Sequence, residues 1–301
     1  MIQRRTDLAS EARELWRESA EETGELPGVE ASTETENGYR VEQLRILDSR
    51  GEEALGKPRG CYVTVELDPL LQREAGAFSR GAGLIAAKLR SLLLLQPGDS
   101  VLVAGLGNSA ITPDNLGPKV ISYTLATRHL VSALPEHFGS FRPVCALETG
   151  VMGVTGLESA ELLAAVVQRL RPRAVIAVDA LASRRLQRVC RSLQLSDTGI
   201  TPGSGVGNSR AELSRNTLGV PVVAVGVPTV VDAATLAADL TEMANIASPA
   251  PSDFGEYGRS MMVTPREIDS RMEELSRLIG YGINLALQEG LSVEDVTALL
   301  G

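Results

Sequence analysis

Short apolar runs that stop at glycine or at an acid recur through the last two-thirds of the chain and set its expected architecture. Val101-Leu102-Val103-Ala104 runs into Gly105-Leu106-Gly107-Asn108, and Ala174-Val175-Ile176-Ala177-Val178 runs into Asp179. Branched residues at consecutive positions leave no polar face, the pattern of strands buried on both sides in a parallel sheet. These runs and two others predict strands at 101–105, 143–148, 174–178 and 221–227. Between and after them the apolar period lengthens, predicting helices near 115–133, 157–170, 231–246, 265–287 and 292–299. Strand and helix in alternation predict an α/β fold: a mostly parallel, doubly wound sheet flanked by helices.

The N-terminal third reads differently. Leu8, Ala12, Leu15 and Trp16 form one stripe of an amphipathic helix over Asp7 to Glu22, with Thr6 or Asp7 as its N-cap. Residues 23–38 are polar, acidic and turn-rich, an exposed excursion. Tyr39 to Leu47 and Cys61 to Leu67 predict two additional strands, and a helix from about Ala75 to Leu95 ends at Gln96-Pro97-Gly98. A glycine-rich insertion at 186–210 interrupts the later alternation, and a loop of that length is usually functional or mobile.

With 301 residues, 44% hydrophobic and 22% charged, the chain has the composition of a soluble globular protein. Its net charge of −9 argues against direct nucleic-acid binding, which needs basic surface to neutralise phosphates. Cys61, Cys145 and Cys190 are odd in number and widely spaced, which predicts neither disulfides nor a zinc site but a reducing cytoplasm. No apolar run is long enough to span a membrane, and the first residues lack a signal core.

The candidate chemistry lies at the strand ends, where open α/β sheets keep their binding crevices. Asp114 follows the first apolar run and Asp179 ends another, so two carboxylates can meet over one sheet edge. Such a pair cannot both ionise freely; one keeps a proton while the other acts as base, and together they activate water without a metal or other cofactor. Spacing leaves a plainer reading open, in which Asp114 caps a helix and Asp179 makes a loop hydrogen bond. Gly105-x-Gly107-x-x-Ala110 loosely fits a dinucleotide fingerprint, but Pro113 interrupts the helix start and no acid follows at about 20 residues. Ser196-Asp197-Thr198-Gly199 resembles a pepsin turn in a single copy, and an ordinary turn explains it better. Asn108 and the amides around Gly205 and Gly207 are candidates to hold an oxyanion or substrate. His129 and His137 lie away from the strand ends, and no G-x-S-x-G elbow offers a serine nucleophile.

Several blocks carry a specific resemblance: VAGLGNSAITPDNLGPKV at 103–120, ETGVMGVTG at 148–156, VDALASRR at 178–185, SDTGITPGSGVGNSR at 196–210 and MVTPREID at 262–269. In these the chain resembles the germination proteases of spore-forming bacteria, a family similar in fold to the hydrogenase maturation proteases. The resemblance implies an atypical aspartic endopeptidase of the spore-core cytoplasm that degrades small acid-soluble spore proteins and assembles as a homotetramer. It places the family's two aspartates on Asp114 and Asp179. It also implies a zymogen that cuts itself after an acid and before an apolar residue and alanine. Thr6-Asp7-Leu8-Ala9-Ser10-Glu11 has that form, which puts the cut between Asp7 and Leu8 and divides the chain into a propeptide, 1–7, and one peptidase domain, 8–301. Within that domain the N-terminal helix and strands occupy 8–70 and the core 75–301. Arg184 and Arg185, just beyond Asp179, are candidates to read the substrate's acid. Two alternatives stay open: a metal between the same carboxylates, or a non-catalytic module binding a nucleotide or anion at the Gly105–Asn108 loop.

Overall fold

Strand β4, Val101–Leu106, is buried at every position, and the first five residues of β6, Ala174–Ala182, have no exposed surface at all. That is what a run of branched residues with no polar face dictates. A computed structural model, describing residues 6–20, 26–244, 246 and 260–301, places both at the centre of one nine-stranded sheet. Residues 1–5 of the expected propeptide, the last two of the expected N-terminal helix, the start of the 23–38 excursion and position 245 lie outside the described residues.

The remaining strands are β1 (Val29–Glu36), β2 (Tyr39–Ile46), β3 (Gly60–Glu66), β5 (Val144–Gly150), β7 (Ser192–Ser196), β8 (Val222–Asp232) and β9 (Met262–Val263). Their order is β1-β2-β3-β7-β8-β6-β4-β5, with β9 pairing the end of β8. The four expected parallel strands are all present, as β8-β6-β4-β5. The additional N-terminal strands join the same sheet antiparallel, through β7, so the sheet as a whole is mixed. From β4 the chain moves outward to β5, then returns past β4 to β6 and on to β8. The crevice between β4 and β6 is therefore where the strand order reverses, the place such sheets keep for ligands.

Helices cover both faces. On one, Ala77–Leu93, Leu116–Ser122 and Ile268–Leu287 pack against Val103, Ile176, Leu193, Val223 and Val225. Leu275, Leu278, Ile279 and Ile283 of the long helix have no exposed surface, so truncating any of them to alanine costs about 2–5 kcal/mol. The opposite face carries two separate apolar clusters. Ser159–Leu170 sits over Leu102, Ala104, Val175 and Ala177; helices α1 (Ala9–Ala20) and α2 (Ser49–Leu55) sit over Leu44, Ile46 and Tyr62. Side chains alternate along strands, so Asp179 of β6 follows Ala177 onto this second face, and Gln194 of β7 stands on it between Leu193 and Leu195. Both residues fall between the clusters, and both pair with Gly226 of β8 from its two sides.

The helix expected over 115–133 is broken, with Leu116–Ser122 and Arg128–Ala133 as its two parts. The buried Asn284 side chain accepts the Leu125 N–H at 2.8 Å and donates to the Tyr123 carbonyl at 2.8 Å, satisfying the turn between them. Local periodicity cannot register a partner 159 residues away.

Candidate active site

At the end of β4 the chain turns sharply at Gly107, whose φ of 106° suits only glycine, and brings Asp114 back beneath the turn. The Asn108 N–H donates to the Asp114 carboxylate at 2.8 Å and to its carbonyl at 3.0 Å. Thr229 of β8 donates its hydroxyl to the Pro113 carbonyl at 2.7 Å, fixing the loop from the other side. Asp114 is thereby held by main chain rather than by a countercharge.

Asp179 is the first residue of β6 beyond its register with β4, which ends at the pair Gly105 and Val178. One carboxylate oxygen accepts the Ala180 N–H at 2.9 Å, and the side chain is only 4% exposed. Asp114 and Asp179 line the same cavity, of about 510 Å³. Burial pushes the Asp179 carboxyl well above the ordinary carboxylate range, and the negative charges of Asp114 and Asp7 push it further. Burial also raises Asp114, with the Asn108 N–H opposing. Both carboxyls are thus raised within a single cavity, Asp179 the more strongly.

Asp7 borders the same cavity. Its N–H donates to the Ala182 carbonyl at 3.0 Å, and its carboxylate accepts the Ala182 N–H at 2.8 Å and the Ser204 hydroxyl at 2.6 Å. Asp7 thus does not cap α1; its side chain is turned towards the end of β6. Its carbonyl accepts from Lys57 Nζ at 3.0 Å and Gln194 Nε2 at 3.2 Å, while Gln194 Oε1 accepts the Ala9 N–H at 2.7 Å. Leu8, between them, is completely buried.

The other candidate residues fall in varied places. Gly205 is buried against Asp7, where a Cβ would lie 2.6 Å from the Asp7 carboxyl carbon. Gly207 is exposed, and its N–H closes a local turn to the Ser204 carbonyl at 3.2 Å. Asn108 gives its N–H to Asp114, and its side-chain oxygen accepts the Ala110 N–H at 3.0 Å. Arg184 and Arg185 turn away from Asp7: Arg184 pairs with Glu18 at 2.8 Å, and Arg185 with Asp239 at 2.7 Å and Glu242 at 2.9 Å. Their main-chain N–H groups hold the buried Glu11 carboxylate at 2.7 and 2.9 Å, which docks α1 beside the site. His129 and His137 are exposed and distant in the fold, and Asp197 accepts the Cys61 N–H at 2.8 Å in an ordinary turn. Sequence reasoning passed over Lys57, Gln194 and Ser204. For Gln194 a signal existed: Ser192, Gln194 and Ser196 alternate with Leu193 and Leu195, a strand with one polar face.

A family model described as germination protease matches residues 8–244. The chain belongs to the germination protease family. A germination protease of Caldanaerobacter subterraneus subsp. tengcongensis is 44% identical, covering 98% of this chain and 98% of its own length. One from Clostridium tetani is 41% identical, covering 98% and 99%. Among solved structures, the [NiFe] hydrogenase maturation protease HycI of Thermococcus kodakarensis aligns with 65% of this chain and 99% of its own, at 16% identity and a TM-score of 0.34. As a germination protease, the chain is an endopeptidase acting in spore germination. Among the described residues no helix is long and apolar enough to cross a membrane.

Proposed function

We propose that Asp114 and Asp179 are the catalytic pair of an aspartic endopeptidase made as a zymogen, which first cuts its own Asp7–Leu8 bond. Residues 1–7 are then the propeptide and 8–301 the peptidase domain. The observation that supports this reading is the place of Asp7: the acid expected before the cut borders the cavity of the two aspartates, held by Ala182 and Ser204. One main-chain bond, from the Asp7 N–H to the Ala182 carbonyl, ties the segment to the end of β6, a backbone contact that an extended peptide can make whatever its side chains.

The chemistry follows from one shared proton. The ionised carboxylate takes a proton from water as the water oxygen attacks the Asp7 carbonyl carbon. The protonated carboxyl then gives its proton to the Leu8 nitrogen as the C–N bond breaks. Ile111, Met152 and Met262, all exposed, line the same cavity and offer apolar surface to a substrate's flanking residues. The substrates on this reading are the small acid-soluble spore proteins, cut in the spore-core cytoplasm by a homotetramer. Self-cleavage is the direct test. Asp114→Asn and Asp179→Asn each abolish conversion to a chain beginning at Leu8, read by mass spectrometry, with the circular dichroism spectrum unchanged. Processing by either folded variant at the wild-type rate removes the proposal.

A further inference from the structure

Beside the aspartate cavity lies a second one, of about 210 Å³, bordered by Lys57, Gln194, Ser204 and Gly226; Asp7 and Leu181 border both. Two residues that border this second cavity donate to the carbonyl of Asp7. Lys57 reaches it from the loop after α2, and Gln194 from the middle of β7. We propose that Lys57 and Gln194 form the oxyanion site of this peptidase, gripping the carbonyl oxygen of the bond to be cut. The inference rests on the assignment of Asp7–Leu8 as the cleaved bond.

Three observations carry it. Both donors converge on one carbonyl oxygen, at 3.0 and 3.2 Å. Gln194 also accepts the N–H of Ala9, spanning Leu8 with one amide group. Every one of these contacts is to main chain, so the same grip serves any extended substrate whatever its side chains. Lastly, the Lys57 ammonium donates only to the carbonyls of Thr6, at 3.3 Å, and Asp7, and makes no ion pair among the described residues. Burial lowers its tendency to hold a proton, and the charges of Asp7 and Glu11 oppose that. A desolvated cation aimed at neutral carbonyls gains little in the ground state. It gains much more once that oxygen becomes an anion, which is the difference that accelerates a reaction.

In the step itself, water oxygen bonds to the Asp7 carbonyl carbon and its proton passes to the ionised aspartate. The carbonyl π pair moves onto oxygen, where Lys57 and Gln194 hold it. When the pair returns, the C–N bond breaks and the leaving Leu8 nitrogen takes the proton of the carboxyl group. Peptide and water become one carboxyl and one amine, with nothing else consumed. This arrangement also assigns the work for which the Asn108 and Gly207 amides were candidates, since those amides are spent on Asp114 and on a local turn.

The test measures conversion of purified full-length chain to its Leu8-starting form, under conditions where the wild type converts. Lys57→Met slows conversion roughly 100- to 1,000-fold, the range for losing one oxyanion donor. Gln194→Leu slows it at least tenfold, and Lys57→Arg, which keeps the charge, restores most of the rate lost in Lys57→Met. Processed enzyme acting on a separate peptide gives a second readout: kcat falls in Lys57→Met and Gln194→Leu while KM stays within about threefold. Should Lys57→Met fail to fold, judged by its melting curve, Gln194→Leu carries the test alone. Wild-type conversion rates in the folded variants, or a loss confined to KM, overturn the oxyanion site. Wild-type cleavage at a bond other than Asp7–Leu8 overturns the assignment of the cut instead, and the peptide assay then judges Lys57 and Gln194 separately.

Discussion

Gly107 and Asp114 share a space that admits no side chain at position 107. A Cβ there would overlap the Asp114 carbonyl oxygen and stand 3.1 Å from one carboxylate oxygen. The residue also has φ of 106°, outside what any L side chain adopts readily.

Gly107→Ala therefore strains the turn by about 1–3 kcal/mol and is relieved only if the Asp114 loop moves. Asp114 then leaves its N–H partner at Asn108 and its place in the cavity it shares with Asp179. The expected outcome is a fall in kcat of at least roughly 100-fold, with the sheet intact by circular dichroism, since misplacing a reacting group by an ångström costs about that much. Wild-type kcat in this variant would show that the exact seat of Asp114 is irrelevant to the chemistry.

Asp179 makes a prediction about stability. Burial and two neighbouring acids raise its folded-state pKa, whereas in the unfolded chain it titrates near 3.9. A raised carboxyl binds its proton more tightly in the folded state. Its ionisation thus subtracts stability as pH climbs from about 4 through the raised value, and that stability returns as pH falls. Asp179→Asn removes the penalty while preserving shape. Relative to wild type, the variant melts roughly 2–4 °C higher at pH 7, and the gain shrinks towards zero at pH 4. Calorimetry across that range checks it, and a gain that grows on acidification would reverse the sign of the argument.

How much of this was legible in the sequence depends on where the determining contact lies. The four parallel strands read cleanly because a doubly buried strand has no polar residue to confuse its pattern. Asp179 lies inside the second of the buried runs and Asp114 in the short turn after the first, and both border one cavity. The residues of β1 are almost all polar and read as an exposed excursion, and the structure shows most of them exposed at the sheet edge. A signal was there: Asn37-Gly38, both with positive φ, is the tight hairpin turn that pairs β1 with β2. β7 was hidden inside the glycine-rich insertion by its brevity. Lys57 and Gln194 were illegible for another reason. One follows a surface helix and one sits 137 positions later; they meet only where the N-terminal segment crosses the sheet, a tertiary event that no local pattern records. The same applies to Arg184 and Arg185, which suit an acidic substrate by charge but are engaged by Glu18, Asp239 and Glu242.

Gly205 offers a test of how the acid before the cut is seated. Its backbone is ordinary, so alanine brings no strain of its own. Its Cβ would instead press on the Asp7 carboxylate, 2.6 Å from the carboxyl carbon, and on the Ala182 Cβ at 2.8 Å. The clash is specific to the acid's seat between Ser204 and Ala182. A double-mutant cycle isolates it, run in an Asp114→Asn background so that the chain stays uncut. Gly205→Ala lowers the melting temperature by several degrees when Asp7 is present. When Asp7→Ala has emptied the seat, the same change costs clearly less, leaving only the contact with Ala182. In chains free to process, Gly205→Ala slows conversion at least tenfold, because on the proposed assignment an acid kept from its seat no longer presents its carbonyl to Lys57 and Gln194. Equal melting losses with and without Asp7 would mean that the glycine serves only to pack the loop against Ala182, and that the acid is recognised elsewhere.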